Sequence, residues 1–137
     1  MIFEAALYDT MTTDAAAVIA LAGTRLYPGM TPLGSDLPAY AYSVFRYPGE
    51  TAHDGSESQA RVRVQFTCTA DTDTEARALA LAIKETWHGF SGVIGGEGGV
   101  LVDRASVGSL IDGYAYNTDK FTIRVDVVFQ IDPATES

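Results

Sequence analysis

The sequence predicts an α+β domain with a mainly antiparallel sheet, on which one long amphipathic helix and two short N-terminal helices pack. Three stretches carry that reading. From Ala60 to Ala70 every even position is apolar and every odd one polar, the period-two pattern of a strand with one buried face. From Phe121 to Ile131 the odd positions repeat it, with Phe121, Ile123, Val125, Val127, Phe129 and Ile131 sharing a face. Between them Ala76, Leu79, Ala80, Ile83 and Trp87 recur at spacings of three and four, which places them on one side of a helix. A strand with one oily face and a helix with one oily stripe bury both by packing together.

In chain order, residues 2–11 and 14–22 carry apolar side chains at helical spacing, with Thr13 as a cap between them and Gly23 as a stop. Helices this short are marginal alone, since isolated helices below about 12–15 residues hardly form in water, so both must dock on the sheet. The stretch from Pro28 to Pro38 holds three prolines and two glycines and reads as a loop. A strand from Ala39 to Tyr47 follows, rich in aromatic and β-favouring residues, and Pro48-Gly49 ends it. Residues 48–59 form a polar excursion between two good strands, and such long connections are commonly either floppy or functional.

Thr72 is set to cap the long helix, Glu75 stands at the third position for a capping box, and Gly89 terminates it. Arg77, Lys84, Glu85 and His88 then face solvent. The glycine-dense run 89–99 predicts a tight reversal between short strands. Val100 to Leu110 is strand-like, with Leu101, Val107 and Leu110 expected in the core. Residues 112–119 are expected to be a hairpin connection bearing tyrosines, and Asp132-Pro133 ends the last strand. One domain over residues 1–132 is expected, with 133–137 as a loose tail.

Reactive constellations are missing from the sequence. His53 and His88 have no neighbouring nucleophile at a recognised spacing, and Cys68 has the parity of a core residue. Asp71, Asp73 and Glu75 lead into a helix instead of an EF-hand loop, and acids there are explained by the helix dipole. The glycines at 95, 96, 98 and 99 fail the dinucleotide fingerprint because Leu101 stands at its last glycine and no helix follows. No enzyme activity, cofactor or metal is therefore expected.

The 137 residues carry 18 acidic against 9 basic side chains, a net charge of −9, which argues against gripping nucleic acid through its phosphates. No run approaches the roughly 20 apolar residues of a membrane span, so no membrane partner is expected. Met1-Ile2-Phe3-Glu4 lacks the pattern of a secretory signal, and the single cysteine forms no internal disulfide, so intracellular folding is the expectation.

Ile2 to Tyr8, Gly23-Thr24-Arg25-Leu26-Tyr27-Pro28, Leu37 to Tyr42, Arg61 to Phe66, the helix with Glu75, Ala76, Leu79 and Ala80, Phe90 with its glycines, and the last strand follow one another at characteristic spacings. In that order and spacing they resemble the tail-completion family of tailed phages, the tail-terminator or tail-to-head joining proteins also encoded in prophages and gene transfer particles. The chain departs from the pattern at Cys68-Thr69, where members often carry an aromatic. The resemblance implies a structural virion protein that assembles in the host bacterial cytoplasm as a homo-oligomeric ring, usually a hexamer. It would sit at the head-proximal end of the tail, stop polymerisation of the tail tube protein and receive a head-completion (stopper) protein, while genomic DNA passes through without specific binding.

An acidic lumen would suit such passage, because it repels phosphate. Subunit contacts are expected from Tyr47, Glu50, His53, Asp54 and Glu57 in and beside the first polar loop, and from Asp112, Tyr114, Tyr116 and Asp119 in the second. Two other readings stand beside it: a head-side connector of the same assembly, and a small ligand-binding or enzymatic α+β domain.

Overall fold

The two alternating strands, β3 (Ala60–Ala70) and β6 (Lys120–Ile131), pair antiparallel from Ala60 opposite Ile131 to Ala70 opposite Phe121. That register places Val62 on Phe129, Val64 on Val127, Phe66 on Val125 and Cys68 on Ile123, so both apolar sets point the same way. In this computed structural model residues 1–46, 60–115 and 119–136 are described. Around the central pair lie α1 (Phe3–Thr13), α2 (Ala16–Ala22), β1 (Leu26–Pro28), β2 (Ala39–Arg46), α3 (Asp73–Trp87), β4 (Gly92–Ile94), β5 (Val100–Ala115) and a closing 3-10 turn, Pro133–Thr135. The six strands run in the order β1-β2-β3-β6-β5-β4, and only β1 with β2 is parallel. The predicted α+β class and its helix-on-sheet layering hold.

The helix layer covers one face. Ala76, Leu79, Ala80, Ile83 and Trp87 of α3 are fully buried while Arg77, Lys84, Glu85 and His88 are exposed, as their spacing predicts. Thr72 caps α3 by accepting from the Glu75 backbone N–H (3.2 Å), and its own hydroxyl donates to the Glu75 carboxylate (3.2 Å). Trp87 joins three elements: its ring meets Phe129 of β6 edge-on at 4.9 Å and Phe90 at 5.1 Å, and its indole N–H donates to Met11 Sδ of α1 (3.1 Å). Phe3 extends the cluster onto Phe129 at 5.1 Å.

Gly95 explains how α1 comes so close to the turn after β4. Its φ is +82°, a built side chain would lie 2.8 Å from Ala6 Cβ, and its N–H donates to buried Thr10 (2.9 Å). Cys68 is wholly buried, and burial pushes its thiol up to about 12, which leaves it a packing residue.

Several expectations are corrected. Thr13 is the last residue of α1, where its hydroxyl donates back to the Asp9 carbonyl (2.6 Å), and α2 begins without a side-chain cap. Leu26–Pro28 is a short edge strand, so Pro28, expected to open the loop, instead ends a strand. Leu101 is half-buried, and the core positions of β5 are Val100, Val102 and Ala105, with Val107 and Leu110 packed against them. Two irregularities, between Val102 and Arg104 and between Val107 and Ser109, each advance the strand by one residue and reverse which parity faces the helices. β5 also runs on to Ala115, so Asp112 and Tyr114 belong to a strand and not to a hairpin connection.

The expected loose tail is instead anchored over residues 133–136. Thr135 accepts from the Leu101 N–H (3.0 Å), and Glu136 accepts from the Phe3 N–H (2.7 Å) and bridges to Arg46 (2.6 Å), which also holds Glu4. The Arg46 guanidinium, helped by the Phe3 N–H, lowers the Glu136 carboxyl below the usual range. Its stabilisation is therefore complete above the ordinary glutamate value, about 4.3, and is lost as pH falls through the lower folded value. Glu136→Gln is expected to cost about 0.2–1 kcal/mol at neutral pH, the range for partly exposed pairs. In melting curves across pH the gap between the two proteins should close below about pH 4; a gap independent of pH would show that the ion pair contributes nothing.

Candidate functional site

With the helices on one side, the other side of the sheet carries no helix among the described residues, and odd residues of β2 and β3 meet even residues of β6 there. Its centre is polar. Asp126 accepts from Gln65 Nε2 (3.3 Å) and from the Ser109 hydroxyl (3.2 Å), and lies 3.6 Å from Arg63. Arg61 and Arg104 flank Gln130 across neighbouring strands, and Arg124 stands between Thr67 and Ile111. Among the described residues these four arginines outnumber Asp126, and Lys120 is matched by Asp71, so this part of the face is basic in a chain whose net charge is −9.

Val128 stands half-buried among these polar groups, opposite Arg63 and Ser106, and the more exposed apolar side chains lie towards the edges. Phe45 is 46% exposed on β2, with the Arg63 guanidinium 5.0 Å from its ring centre, a cation–π contact. Ile111 on β5 is 47% exposed.

At the β1 end the segment 29–37 rises over the same face and encloses an open cleft of about 970 Å³. Thr67, Thr69 and Thr122 line it, with the ion pair of Lys120 and Asp71 beside them, and Met30 and Leu33 stand 72% and 83% exposed on the segment. Arg25 secures the segment by donating from Nε to the Pro38 carbonyl (2.9 Å). The Thr31 hydroxyl is buried there without a hydrogen-bond partner among the described residues.

The expected contact residues divide into two sets. Tyr47, Glu50, His53, Asp54, Glu57 and Tyr116 lie outside the described residues. Asp112, Tyr114 and Asp119 are exposed but already engaged within the chain: Asp112 pairs with Arg77 (3.0 Å), and the Tyr114 hydroxyl donates to Asp119 while its ring meets Phe121 edge-on at 5.1 Å. Phe45, Arg46 and Ile111 were not singled out from the sequence. The signal available was parity, since Phe45 shares its side of β2 with Ser43 and not with Tyr40 and Val44.

The titratable groups around this surface are mostly tied up in contacts within the chain. Among the described residues no group of three or more His, Cys, Asp or Glu side chains is placed to hold a metal ion. His88 accepts at Nδ1 from the Val107 N–H (3.3 Å), and Asp71, Asp73 and Asp112 are in ion pairs with Lys120 or Arg77. Tyr40 is buried under the helix layer, where desolvation raises its hydroxyl pKa and keeps it neutral.

No family model matches the chain, and no curated protein matches it in sequence. Its fold does match solved structures. A chain from the virion of a native gene transfer agent (GTA) particle superposes with a TM-score of 0.69 at 18% identity, over 96% of this chain and 95% of that one. A second solved chain, whose name states no function, gives a TM-score of 0.60 at 17% identity over 94% and 92% of the two chains. At such identities the likeness is one of fold.

Proposed function

We propose that this chain is a structural virion protein of a phage-like particle, and within that class a tail terminator. The observation that carries the reading is end-to-end fold agreement with a chain of a GTA virion, at a TM-score of 0.69 with both chains almost fully covered. The order of sequence segments that resembles the tail-completion family supports the finer assignment. In this reading copies of the chain close into a ring, usually a hexamer, at the head-proximal end of the tail. The ring stops growth of the tail tube and offers the surface on which the head-completion protein docks. DNA crosses its bore unbound.

A closed ring needs two different patches on each subunit, one meeting the other on the next copy. The helix-free sheet face with its edges, and the polar segments around 47–59 and 112–119, supply the candidates. An acidic bore cannot be lined by the helix-free face, which carries Arg61, Arg63, Arg104 and Arg124 against Asp126, so in this reading other surfaces line it.

Light scattering of the purified protein, combined with negative-stain imaging, tests the proposal. Discrete rings of about six subunits that cap tail tubes and stop their elongation are expected. A monomer that never associates and leaves tube length unchanged would overturn it. The cleft beside Thr31 favours a second reading, a small-ligand module, because its volume of about 970 Å³ lies near the top of the usual range of ligand pockets, roughly 300–1,000 Å³. Saturable small-molecule binding by an obligate monomer would favour that reading instead.

A further inference from the structure

Both lateral edges of the sheet are only partly closed. On one side β1 covers β2 from Tyr40 to Tyr42, and among the described residues no strand covers Ser43 to Arg46. On the other side β4 covers β5 from Val100 to Val102, and the connection after α3 closes the next stretch through bonds of Gly89 and Phe90 to Ala105 and of His88 to Val107. From Gly108 to Gly113 no described strand pairs with the outer side of β5. An uncapped edge of this length, without proline or lysine, is a template for another strand.

The geometry points to a second copy of this chain as the occupant: we infer that the outer edge of β5 pairs with the Ser43–Arg46 edge of β2 in the next copy. The inference rests on the self-assembling reading above and names its seam. Three observations select β2 as the partner.

The first is direction. β2, β3, β6 and β5 alternate, each antiparallel to its neighbour, so β2 and β5 run in opposite senses. Copies related by rotation about an axis along the strands keep those senses, and the new pair is antiparallel, the better-bonded kind.

The second is register. β1 ends where Ser43 begins, and the described part of β5 ends at Ala115, so bringing the two ends together sets Ala115 opposite Ser43, Gly113 opposite Phe45 and Asp112 opposite Arg46. The third is chemistry at that register, which was chosen from strand ends and not from side chains. Arg46 and Asp112 carry opposite charges, with side chains 41% and 62% exposed, so each can add a contact across the seam to the partners it holds in its own chain, Glu4 and Glu136 for Arg46 and Arg77 for Asp112. Phe45 falls over Gly113, which has no side chain and where a Cβ would come 2.7 Å from the Thr122 hydroxyl. Its ring then leans on Ile111, diagonally across the pair and on the same face, within the reach of aromatic side chains. Two half-exposed apolar groups cover each other, and each copy uses one edge of each kind, so the contact propagates from copy to copy.

The native chain suits cross-linking because Cys68, its one cysteine, is fully buried. Phe45→Cys and Ile111→Cys proteins are mixed at assembly concentration and treated with a short bismaleimide. Cross-linked dimer in the mixture and not in either protein alone is expected, and a double variant should give a ladder that ends at the closed oligomer. Ile111→Lys should keep the parental melting temperature and lose assembly at least tenfold in concentration. Cross-linking of Ile111→Cys with itself would place β5 against β5 and overturn the inference. Rings that form without any 45–111 product would also overturn it while leaving the ring reading intact. A protein that stays monomeric at every concentration would overturn both.

Discussion

Phe66→Asp is expected to leave no soluble folded protein, whereas Thr67→Asp, one residue along the same strand, folds and melts close to the parent. Phe66 is fully buried, packs on Tyr40 at 6.1 Å between ring centres, and stands opposite Val125 on β6 and Tyr42 on β2. Truncating a buried phenylalanine costs about 3–5 kcal/mol. An ionised carboxylate in its place, with Val125 and Tyr42 and no cation opposite it on the neighbouring strands, adds several kcal/mol of desolvation. The sum reaches the whole stability of a typical domain, about 5–15 kcal/mol.

Thr67 points to the helix-free face and lies opposite Arg124, so a carboxylate there gains a cross-strand cation. Val64→Asp should behave as Phe66→Asp does, since Val64 is also fully buried. Soluble yield and far-UV circular dichroism decide the matter. A folded Phe66→Asp protein beside an unfolded Thr67→Asp would show that the face of β3 has been assigned backwards.

That contrast marks where residue patterns were a sufficient guide. β3 and β6 are legible because they lie in the middle of the sheet, pair over their full lengths and have one face under the helices, so burial writes a clean period of two into them. β5 is not legible in the same way. Its two irregularities make Val100 and Val102, then Ala105 and Val107, then Leu110 face the helices, and no single parity describes it. β1 is three residues long and ends in proline, too short to show any period.

The candidate surface was legible in composition but not in place. Asp112, Tyr114 and Asp119 are exposed as expected, yet internal contacts hold each of them, and Phe45 reads as one more aromatic of a hydrophobic strand until its neighbour Arg63 is known to sit over it. Which edge of a sheet stays open depends on how far the short strands β1 and β4 reach, set by chain reversal at Gly29 and by where the connection after α3 turns into β4 at Gly92, not by the long strands themselves.

Trp87→Ala is expected to lower the midpoint of thermal unfolding by about 10–25 °C. The cost of removing a buried tryptophan is about 3–5 kcal/mol, and each kcal/mol moves the midpoint of a domain this size by roughly 3–5 °C. The upper part of that range applies here because the indole is the common neighbour of α1, α3, β6 and the turn after α3. Its removal strips Phe129 and Phe90 of an edge-on partner and leaves Met11 facing a void that neither the rigid β3–β6 pair nor the capped α3 can close.

Trp87→Phe should recover most of the loss, since it restores an aromatic edge and gives up only part of the volume and the N–H contact to sulfur. Circular dichroism is the readout, because Trp87 is the single tryptophan and both variants remove its fluorescence. If Trp87→Ala melted within about 3 °C of the parent, less than 1 kcal/mol by the same scaling, the helix layer would not be held to the sheet through this side chain. The cluster from Phe3 through Phe129 would then have to carry that role by itself.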